Sequence, residues 1–424
     1  MMIPSIDIQN GEVVQLVGGR ERALAAGAPA QWARRFGRVG LTAVVDLDAA
    51  CGTGDNAALI EPLLRLAPCT VGGGIRDVAT ARRWLDRGAE RVVIGTAATP
   101  ELLAELPSER VIVALDTRGD EVLSHGWRRG TGRGLLERVA ELRDLAGGFL
   151  VTTVEREGRL AGIDRERARQ LKEAVGSAHL IVAGGVAGAQ DVADLDRLGV
   201  DAQVGMALYT GRFDEADALA ACLVSDRPDG LWPTIVCDPA HRALGLAWSN
   251  LVSLRRALAT GRGVYHSRRR GLWEKGRTSG DGQELLRVEV DCDRDCLRFL
   301  VRQAGVGFCH RGTHDCFGAA RGLDALGRRL ASRLSGAPAG SYTRRLLDQP
   351  DLLATKLREE ADELARAVTP DDVVHEAADV LYFTLVALLR SGADLEAVER
   401  LLDRRALAVT RRPGDAKPAR KEDA

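Results

Sequence analysis

Val71-Gly72-Gly73-Gly74-Ile75 recurs in altered form further along the chain, as Val182-Ala183-Gly184-Gly185-Val186. A second pair of glycine sites follows, Val93-Ile94-Gly95-Thr96-Ala97 and Gln203-Val204-Gly205-Met206-Ala207. The members of each pair lie about 110 positions apart, which indicates an internal repeat. Short apolar strands that alternate with amphipathic helices form a parallel sheet. Two halves with four such units each predict a (β/α)8 barrel, built of two half-barrel repeats, over residues 1–224.

The glycine sites predict phosphate binding. Glycine-rich turns that enter helices bind phosphates through backbone N–H groups. A single Gly-Gly pair usually marks only a turn, but matched sets are better explained by two phosphate pockets. The candidate phosphate-binding residues are Gly73, Gly74, Gly95, Thr96, Gly184, Gly185 and Gly205.

Residues 1–224 resemble the histidine-biosynthesis isomerase that converts an aminoimidazole carboxamide ribotide aldose to its ketose. The resemblance runs through Ile3 to Asp7, Val71 to Asp77, His125-Gly126-Trp127 and Gly205 to Gly211. The family substrate carries a phosphate at each end, in agreement with the doubled glycine sites. The His-Gly-Trp loop favours this isomerase over the related cyclase barrel, which shares the doubled architecture.

This resemblance implies an acid that opens the ribose ring and a base that shifts a proton. By this resemblance Asp7 and Asp116, each at the end of an apolar run, would be these two groups. Thr152 would lie beside them, and Trp127 would stack on the substrate from its loop. As an isolated residue Asp7 could simply end a strand or cap a helix, but its matched partner favours catalysis.

The stretch Asp291-Cys292-Asp293-Arg294-Asp295-Cys296, followed by Cys309-His310 and Cys316, predicts metal chemistry. Leu297 to Val301 has the alternation of a strand. If the extended geometry starts at Asp291, the three aspartates share one face and the two cysteines the other. Carboxylates suit Mg²⁺ and thiolates suit Zn²⁺. Three thiolates would leave a fourth zinc position open for water, as in catalytic sites.

Residues 229–335, predicted to form a small α+β metal-binding domain, resemble phosphoribosyl-AMP cyclohydrolase. The resemblance runs through Trp273 to Gly276, Ser279-Gly280, the Asp/Cys stretch and Cys309 to Cys316. In that family zinc polarises a water that attacks the adenine ring, and the zinc site is built across a dimer, which implies a homodimer here. The implied zinc ligands are Cys292, Cys309 and Cys316, and the implied magnesium ligands are Asp291, Asp293 and Asp295. The implied proton carrier is His310, and the implied phosphate contacts are Arg268 and Lys275.

Residues 341–408 are predicted to be helical throughout, as an all-α domain. Carboxylates three and four positions apart share one helix face, which is often only solvated. Two facing acidic helices, with Ser341-Tyr342-Thr343 and Glu376 to Tyr382, instead resemble phosphoribosyl-ATP pyrophosphatase. Mg²⁺ held there would activate water and neutralise the departing pyrophosphate. The candidate magnesium ligands are Glu359, Glu360, Glu363, Glu376 and Asp379, and all of them except Glu359 are also candidate catalytic residues.

Four positions depart from these family patterns. Glu157 stands where aspartate is more common, and Met206 stands where a basic residue is common. Phe383 replaces a residue that is often histidine. Cys296 would share a strand face with Cys292 and compete with it for metal.

The length and composition of the chain limit the classes of protein to which it can belong. The 424 residues suggest two to four domains, and 59 basic against 60 acidic residues give a net charge of −1. This balance favours neither a nucleic-acid nor a membrane partner. The start has no secretory signal, and the apolar stretch from Val380 to Leu389 is too short for a membrane span. Apart from the cluster between Cys292 and Cys316, the eight cysteines are scattered, which predicts a reducing cytoplasm with metal-bound thiols rather than a disulfide framework. Residues 411–424 are predicted to be disordered.

The three resemblances name consecutive reactions on phosphorylated small molecules. We therefore predict a trifunctional histidine-biosynthesis enzyme that uses Zn²⁺ and Mg²⁺. In one alternative the barrel is a non-catalytic dimerising scaffold, which activity on the isolated isomerase substrate would exclude. In another the barrel also isomerises phosphoribosylanthranilate.

Overall fold

The computed structural model describes residues 1–124, 126–318, 321–336, 340–410 and 414. The chain forms two compact units. The first unit contains residues 1–307 and 405–424, and the second contains residues 308–404. The predicted disordered tail lies outside the described residues except for Gly414, and so does His125.

Eight parallel strands close into a barrel in the first unit. They follow chain order around the ring, and the last strand pairs with the first. Most are short and rich in Val and Ile, as expected of strands that are covered on both faces. The predicted (β/α)8 barrel is confirmed. The strands are Met2–Gln9, Thr42–Asp46, Cys69–Gly72, Arg91–Ile94, Val111–Arg118, Gly148–Thr153, His179–Ala183 and Asp201–Val204.

Helices cover the outside of the barrel and bury their apolar stripes on the strands. The first and fifth strands are each followed by a β-hairpin, so the internal repeat extends into the loops. The hairpin strands are Glu12–Val17 with Glu21–Gly27, and Glu121–Ser124 with Arg129–Gly134. The α-helices are Pro29–Phe36, Leu47–Cys51, Ala57–Leu63, Val78–Asp86, Pro100–Ala104, Leu135–Leu142, Arg165–Val175, Ala189–Arg197, Met206–Tyr209 and Glu215–Cys222.

A four-stranded sheet follows the barrel within the same unit. Its strand order is Ala243–Ser249, Trp232–Cys237, Leu297–Gln303 and Gln283–Val290. The helix Leu251–Thr260 and a small hairpin of Val264–Ser267 with Gly271–Glu274 complete this sheet domain.

The strand predicted from Leu297 to Val301 is confirmed and extends to Gln303. The extended geometry considered for residues 291–296 is wrong. Because Gln283–Val290 pairs antiparallel with Leu297–Gln303, the intervening residues form the connecting turn. Asp291 Oδ1 accepts hydrogen bonds from the N–H groups of Asp295 and Cys296 at 3.0 and 3.1 Å, which closes the turn.

The second unit is helical apart from the segment at its start, and its core is built from leucines, Phe383 and Val386. Its helices are Gly322–Gly336, Tyr342–Asp348, Pro350–Arg366, Pro370–Ser391 and Leu395–Leu407, the last of which ends in residues of the first unit. Leu323, Leu326 and Leu330 place the first of these helices in the bundle core, although the predicted boundary at residue 335 assigned it to the preceding domain. No helix in the described ranges is both long and apolar enough to cross a membrane.

Candidate active sites

A cavity of about 360 Å³ opens at the C-terminal ends of the barrel strands. Asp7, Asp116 and Thr152 line it, as predicted for a barrel whose catalytic groups follow its strands. Its wall also includes all the predicted phosphate-binding residues, Gly73, Gly74, Gly95, Thr96, Gly184, Gly185 and Gly205. The repeat therefore places two matched glycine sets around one cavity.

The glycine turns of the two halves share a backbone requirement. Gly73 has a φ of 95° and Gly184 a φ of 87°, in the left-handed region. A Cβ at Gly73 would collide with the carbonyl oxygen of Asp46, and one at Gly184 would collide with that of Thr153. Each turn therefore needs glycine in order to pass close to the neighbouring strand end.

Asp7 and Asp116 lie on the first and fifth strands, which are opposite one another in a ring of eight. Burial raises the pKa of Asp7 to about 6. The hydrogen bond that its Oδ1 accepts from the Ser5 hydroxyl at 2.5 Å acts in the opposite direction and lowers this pKa. Burial also raises the pKa of Asp116, although Trp127 and Thr152 donate hydrogen bonds to it. The pH at which each of these carboxyl groups is half-protonated is therefore closer to neutral than it is for a free aspartate.

Glu157 is a third carboxylate of this cavity, which sequence reasoning recorded only as a departure. Burial raises its pKa to about 8, and the charges of Asp7 and Asp116 contribute in the same direction. In the repeat, Val45-Asp46-Leu47-Asp48 matches Val154-Glu155-Arg156-Glu157. Asp48 also follows a barrel strand, and this matched position was the signal that could have identified Glu157. At neutral pH Glu157 is mostly protonated while Asp7 is mostly ionised, so the cavity holds both an acid and a base.

Trp127 reaches the cavity from the loop between the hairpin strands after the fifth barrel strand. Its φ of 67° is unusual for a side chain of this size. The indole also lies against the loop of the first hairpin, where a Cβ at Gly19 would collide with the ring. The two hairpin loops therefore meet at Trp127, at the edge of the cavity.

The turn over residues 291–296 brings three carboxylates together. One oxygen each from Asp291, Asp293 and Asp295 lies within 4.8 Å of the other two. A hydrogen bond with Asp291 and then the charge of Asp293 raise the pKa of Asp295. One divalent cation could touch all three oxygens and remove this repulsion, so the donor set fits a hard ion.

The thiols are divided between the two units, with Cys292 in the first and Cys309 and Cys316 in the second. The pKa of the Cys309 thiol is lowered by the Arg311 N–H, then by Thr313, and more weakly by Cys316. Cys292 is exposed. The predicted zinc ligation by these three cysteines, with exposed His310 nearby in sequence, stays a prediction.

Cys296 differs from the three candidate zinc ligands. Its Sγ donates to the carbonyl oxygen of Leu297 at 3.6 Å, and burial is the main cause of its raised pKa. A turn does not alternate its side chains as a strand does, so the argument that Cys296 shares a face with Cys292 no longer holds.

The two predicted phosphate contacts of the sheet domain have protein partners. Lys275 is buried, and its Nζ donates to the carbonyl oxygens of Asp281 and Gly307, both at 3.1 Å. The exposed Arg268 guanidinium lies 5.2 Å from the ring centroid of Trp248. Their binding to phosphate stays a prediction.

The facing helices Pro350–Arg366 and Pro370–Ser391 bring together three of the five predicted carboxylates. Single oxygens of Glu360, Glu363 and Glu376 lie within 4.8 Å of one another. Burial, followed by the charge of Glu363, raises the pKa of Glu376. This cluster offers a divalent cation ligands from both helices.

The other two predicted carboxylates have different neighbours. Lys356 Nζ pairs with Glu359 at 2.9 Å and also with Glu360 at 2.7 Å. Asp379 Oδ2 lies 3.7 Å from His375 Nε2. The ring of Phe383, the residue that departs from the family pattern, is buried in the bundle core, with Lys356 Nζ 5.7 Å from its centroid.

Three family models match consecutive parts of the chain. The model described as "Histidine biosynthesis protein" matches residues 1–214. The model described as "Phosphoribosyl-AMP cyclohydrolase" matches residues 245–318, and "Phosphoribosyl-ATP pyrophosphohydrolase" matches residues 323–406.

Curated proteins match the chain in parts. A histidine biosynthesis trifunctional protein of Komagataella pastoris is 52% identical over 207 residues, which are 49% of this chain and 25% of that protein. A histidine biosynthesis bifunctional protein of Schizosaccharomyces pombe is 48% identical over 207 residues, 49% of this chain and 50% of that protein. An imidazole-4-carboxamide isomerase of Deinococcus radiodurans is 42% identical over 224 residues, 50% of this chain and 94% of the isomerase. The chain thus spans half or less of the multifunctional relatives.

Proposed function

We propose that this chain, which belongs to the histidine biosynthesis protein family, is a trifunctional enzyme of histidine biosynthesis. After the barrel it carries a phosphoribosyl-AMP cyclohydrolase domain and then a phosphoribosyl-ATP pyrophosphohydrolase domain. In the proposed sequence, pyrophosphate is removed from phosphoribosyl-ATP, the adenine ring of phosphoribosyl-AMP is opened, and the product ribose is isomerised. The observation that carries the proposal is that each matched segment contains its own set of converging carboxylates.

The barrel would perform the isomerisation. Ionised Asp7 can accept the proton that shifts in an Amadori rearrangement. Protonated Glu157 can donate a proton during ring opening, a role that we propose it shares with Asp116 on the opposite strand. The doubled glycine turns would bind the two terminal phosphates.

The carboxylate pKa values predict a bell-shaped pH profile for isomerisation. We expect kcat/KM to rise through about pH 6 as Asp7 loses its proton. It should fall above about pH 8 as Glu157 loses its own proton. Glu157→Gln should lower kcat about 100-fold and remove the alkaline fall, because an amide does not titrate. An unchanged alkaline limb in that variant would assign the limb to another group.

The sheet domain would open the adenine ring with zinc at Cys292, Cys309 and Cys316. Bound zinc would supply a water that is activated near neutral pH. The lowered pKa of Cys309 favours the thiolate that zinc requires. His310, next in sequence, could carry the proton released from this water. Magnesium would bind the aspartates of the turn over residues 291–296.

The helical domain would release pyrophosphate with magnesium at Glu360, Glu363 and Glu376. Bound magnesium would activate a water and neutralise charge on the leaving group. Lys356 already pairs with Glu360 and could shift to a substrate phosphate.

Removal of one carboxylate from the cluster of Glu360, Glu363 and Glu376 should impair pyrophosphate release and leave the other two reactions unchanged. We expect Glu360→Gln to reduce pyrophosphate release from phosphoribosyl-ATP at least about 100-fold, because one cation ligand is lost. Glu359→Gln is the matched control, since Glu359 pairs with the same lysine but lies outside the cluster. It should stay within about 2-fold of the parent, as expected for an exposed ion pair. Equal pyrophosphate release in both variants would contradict the assignment of the cluster.

The complete reaction sequence can be tested in one experiment. Purified protein with Mg²⁺ and Zn²⁺ is given phosphoribosyl-ATP, and product masses are followed over time. We expect the phosphoribosyl-AMP, ring-opened and ketose products in that order, together with pyrophosphate. If isolated aldose is not converted, the barrel is a scaffold, and the same assay with phosphoribosylanthranilate tests the wider specificity.

We also propose a homodimer that forms through the sheet domain, as the cyclohydrolase resemblance implies. A cytoplasmic location is supported by the cysteines, all of which are free thiols within the described residues.

A further inference from the structure

The turn over residues 291–296 is attached to the barrel by its central arginine. Arg294 Nε and Nη2 donate to the two carboxylate oxygens of Asp196 at 2.9 and 3.0 Å. Asp196 lies on the barrel helix Ala189–Arg197, and its side chain is only 9% exposed. It also accepts a hydrogen bond from the Met1 amino group at 2.8 Å. A bidentate pair on a nearly buried carboxylate restrains geometry more than an exposed ion pair does.

The backbone of Arg294 is held by the barrel as well. Its carbonyl oxygen accepts the Val224 N–H at 2.8 Å, and its φ is 68°. A side-chain-bearing residue keeps this left-handed conformation only where its surroundings impose it. The third guanidinium nitrogen, Nη1, donates to the carbonyl oxygen of Asp291 at 2.7 Å. Asp196 is thereby connected through one residue to the backbone of Asp291, whose side chain is the first carboxylate of the turn.

The three turn carboxylates repel one another unless a cation lies between them, so contacts that fix the turn against this repulsion favour cation binding. We propose that Asp196 of the barrel is a positioning residue for the cation site of the sheet domain. By holding Arg294, it keeps Asp291, Asp293 and Asp295 aimed at one divalent cation. The inference rests on the proposed ring-opening function and deepens it, because the barrel would then strengthen cation binding for the neighbouring reaction through a contact outside its own cavity.

A second contact between barrel and sheet domain supplies the control. Arg255 of the helix Leu251–Thr260 pairs with Asp214 at 2.8 Å and with Asp217. It joins the same two domains through a guanidinium and carboxylates but does not touch the turn. Arg255→Gln therefore tests whether any loss of domain contact weakens the cation site.

The experiment measures binding of Mn²⁺ to the full-length, zinc-loaded protein by electron paramagnetic resonance. All variants carry Glu360→Gln, so that the helical carboxylate cluster contributes little. Asp196→Asn and Arg294→Gln should each weaken Mn²⁺ binding about 10-fold, the effect of losing an outer-shell partner. The double variant should be no weaker than either single one, because both remove the same link. Arg255→Gln should bind Mn²⁺ within about 2-fold of the parent.

Kinetics supply a second measurement that general destabilisation would not reproduce. In Asp196→Asn the Mg²⁺ concentration for half-maximal ring opening should rise about 10-fold, while kcat at saturating Mg²⁺ stays within about 2-fold. Isomerisation should be unchanged, because Asp196 precedes the strand Asp201–Val204 and lies at the end of the barrel opposite the cavity.

Two results would overturn the proposal in different ways. If Asp196→Asn and Arg294→Gln both bind Mn²⁺ like the parent while Asp293→Asn binds it weakly, Asp196 has no positioning role and the ring-opening assignment stands. If Asp293→Asn also binds like the parent, the turn is not a cation site, and the proposed function of this segment fails with the inference.

Discussion

Asp7→Asn should lower isomerisation about 1,000-fold, because general acid–base groups contribute on this scale. The substituted amide cannot accept a proton, and it keeps the size and the hydrogen bond of the half-buried carboxyl group. Turnover of the isolated aldose is the measurement. Opening of phosphoribosyl-AMP by the same preparation should be unchanged, which separates lost chemistry from lost folding.

Asp77→Asn is the matched control for this prediction. Asp77 is a carboxylate at the same end of the barrel, but it caps the helix Val78–Asp86 by accepting the Thr80 N–H at 2.7 Å. Asparagine caps helices about as well as aspartate, so this variant should isomerise like the parent. Normal turnover in Asp7→Asn would remove Asp7 from the chemistry and transfer the base to Asp116 or Glu157.

Cys309→Ser should abolish zinc binding and ring opening together. A serine hydroxyl is not a thiolate at neutral pH, and zinc loses one of only three proposed protein ligands. Metal analysis should find about one zinc per chain in the parent, the stoichiometry of a single site with three thiolates and water. In the variant zinc should fall to background, and ring opening should fall by at least about 1,000-fold if zinc supplies the nucleophile. Isomerisation should persist.

Cys296→Ser provides the comparison within the same turn as Cys292. Its sulfur donates to the Leu297 carbonyl, which a serine hydroxyl can replace, so zinc should be retained. Cys292→Ser should lose the metal as Cys309→Ser does. If Cys296→Ser loses zinc and Cys292→Ser keeps it, the ligand from this turn has been assigned to the wrong cysteine.

The local sequence pattern was sufficient to predict those features of the fold and site that depend on residues close together in the sequence. The repeated apolar runs and glycine turns predicted the barrel, because each βα unit is specified by alternation, helix periodicity and turn chemistry over a few tens of residues. The same repeat located Asp7 and Asp116, since corresponding strand ends of a doubled ring must face each other across its mouth. Helical periodicity likewise predicted the acidic helices and a shared face for their carboxylates, of which Glu360, Glu363 and Glu376 converge.

Features that depend on partners distant in sequence required the tertiary structure. The raised pKa of Glu157 arises from burial and from carboxylates on two other strands, so no local pattern could indicate a protonated acid there. Periodicity predicted the strand from Leu297 but not where it begins, and antiparallel pairing of the flanking strands makes residues 291–296 a turn. The link from Arg294 to Asp196 spans 98 positions.

The sequence by itself therefore determined the element types, the doubled barrel and most of the residues able to carry chemistry. Tertiary structure alone decided which charges share one low-dielectric environment, which carboxyl groups have a raised pKa, and which domain contacts the turn over residues 291–296. The physical reason is the distance along the chain over which each effect acts. Propensity, periodicity and turn chemistry act over a few residues, whereas desolvation and charge–charge interaction depend on whatever the fold brings within a few ångströms.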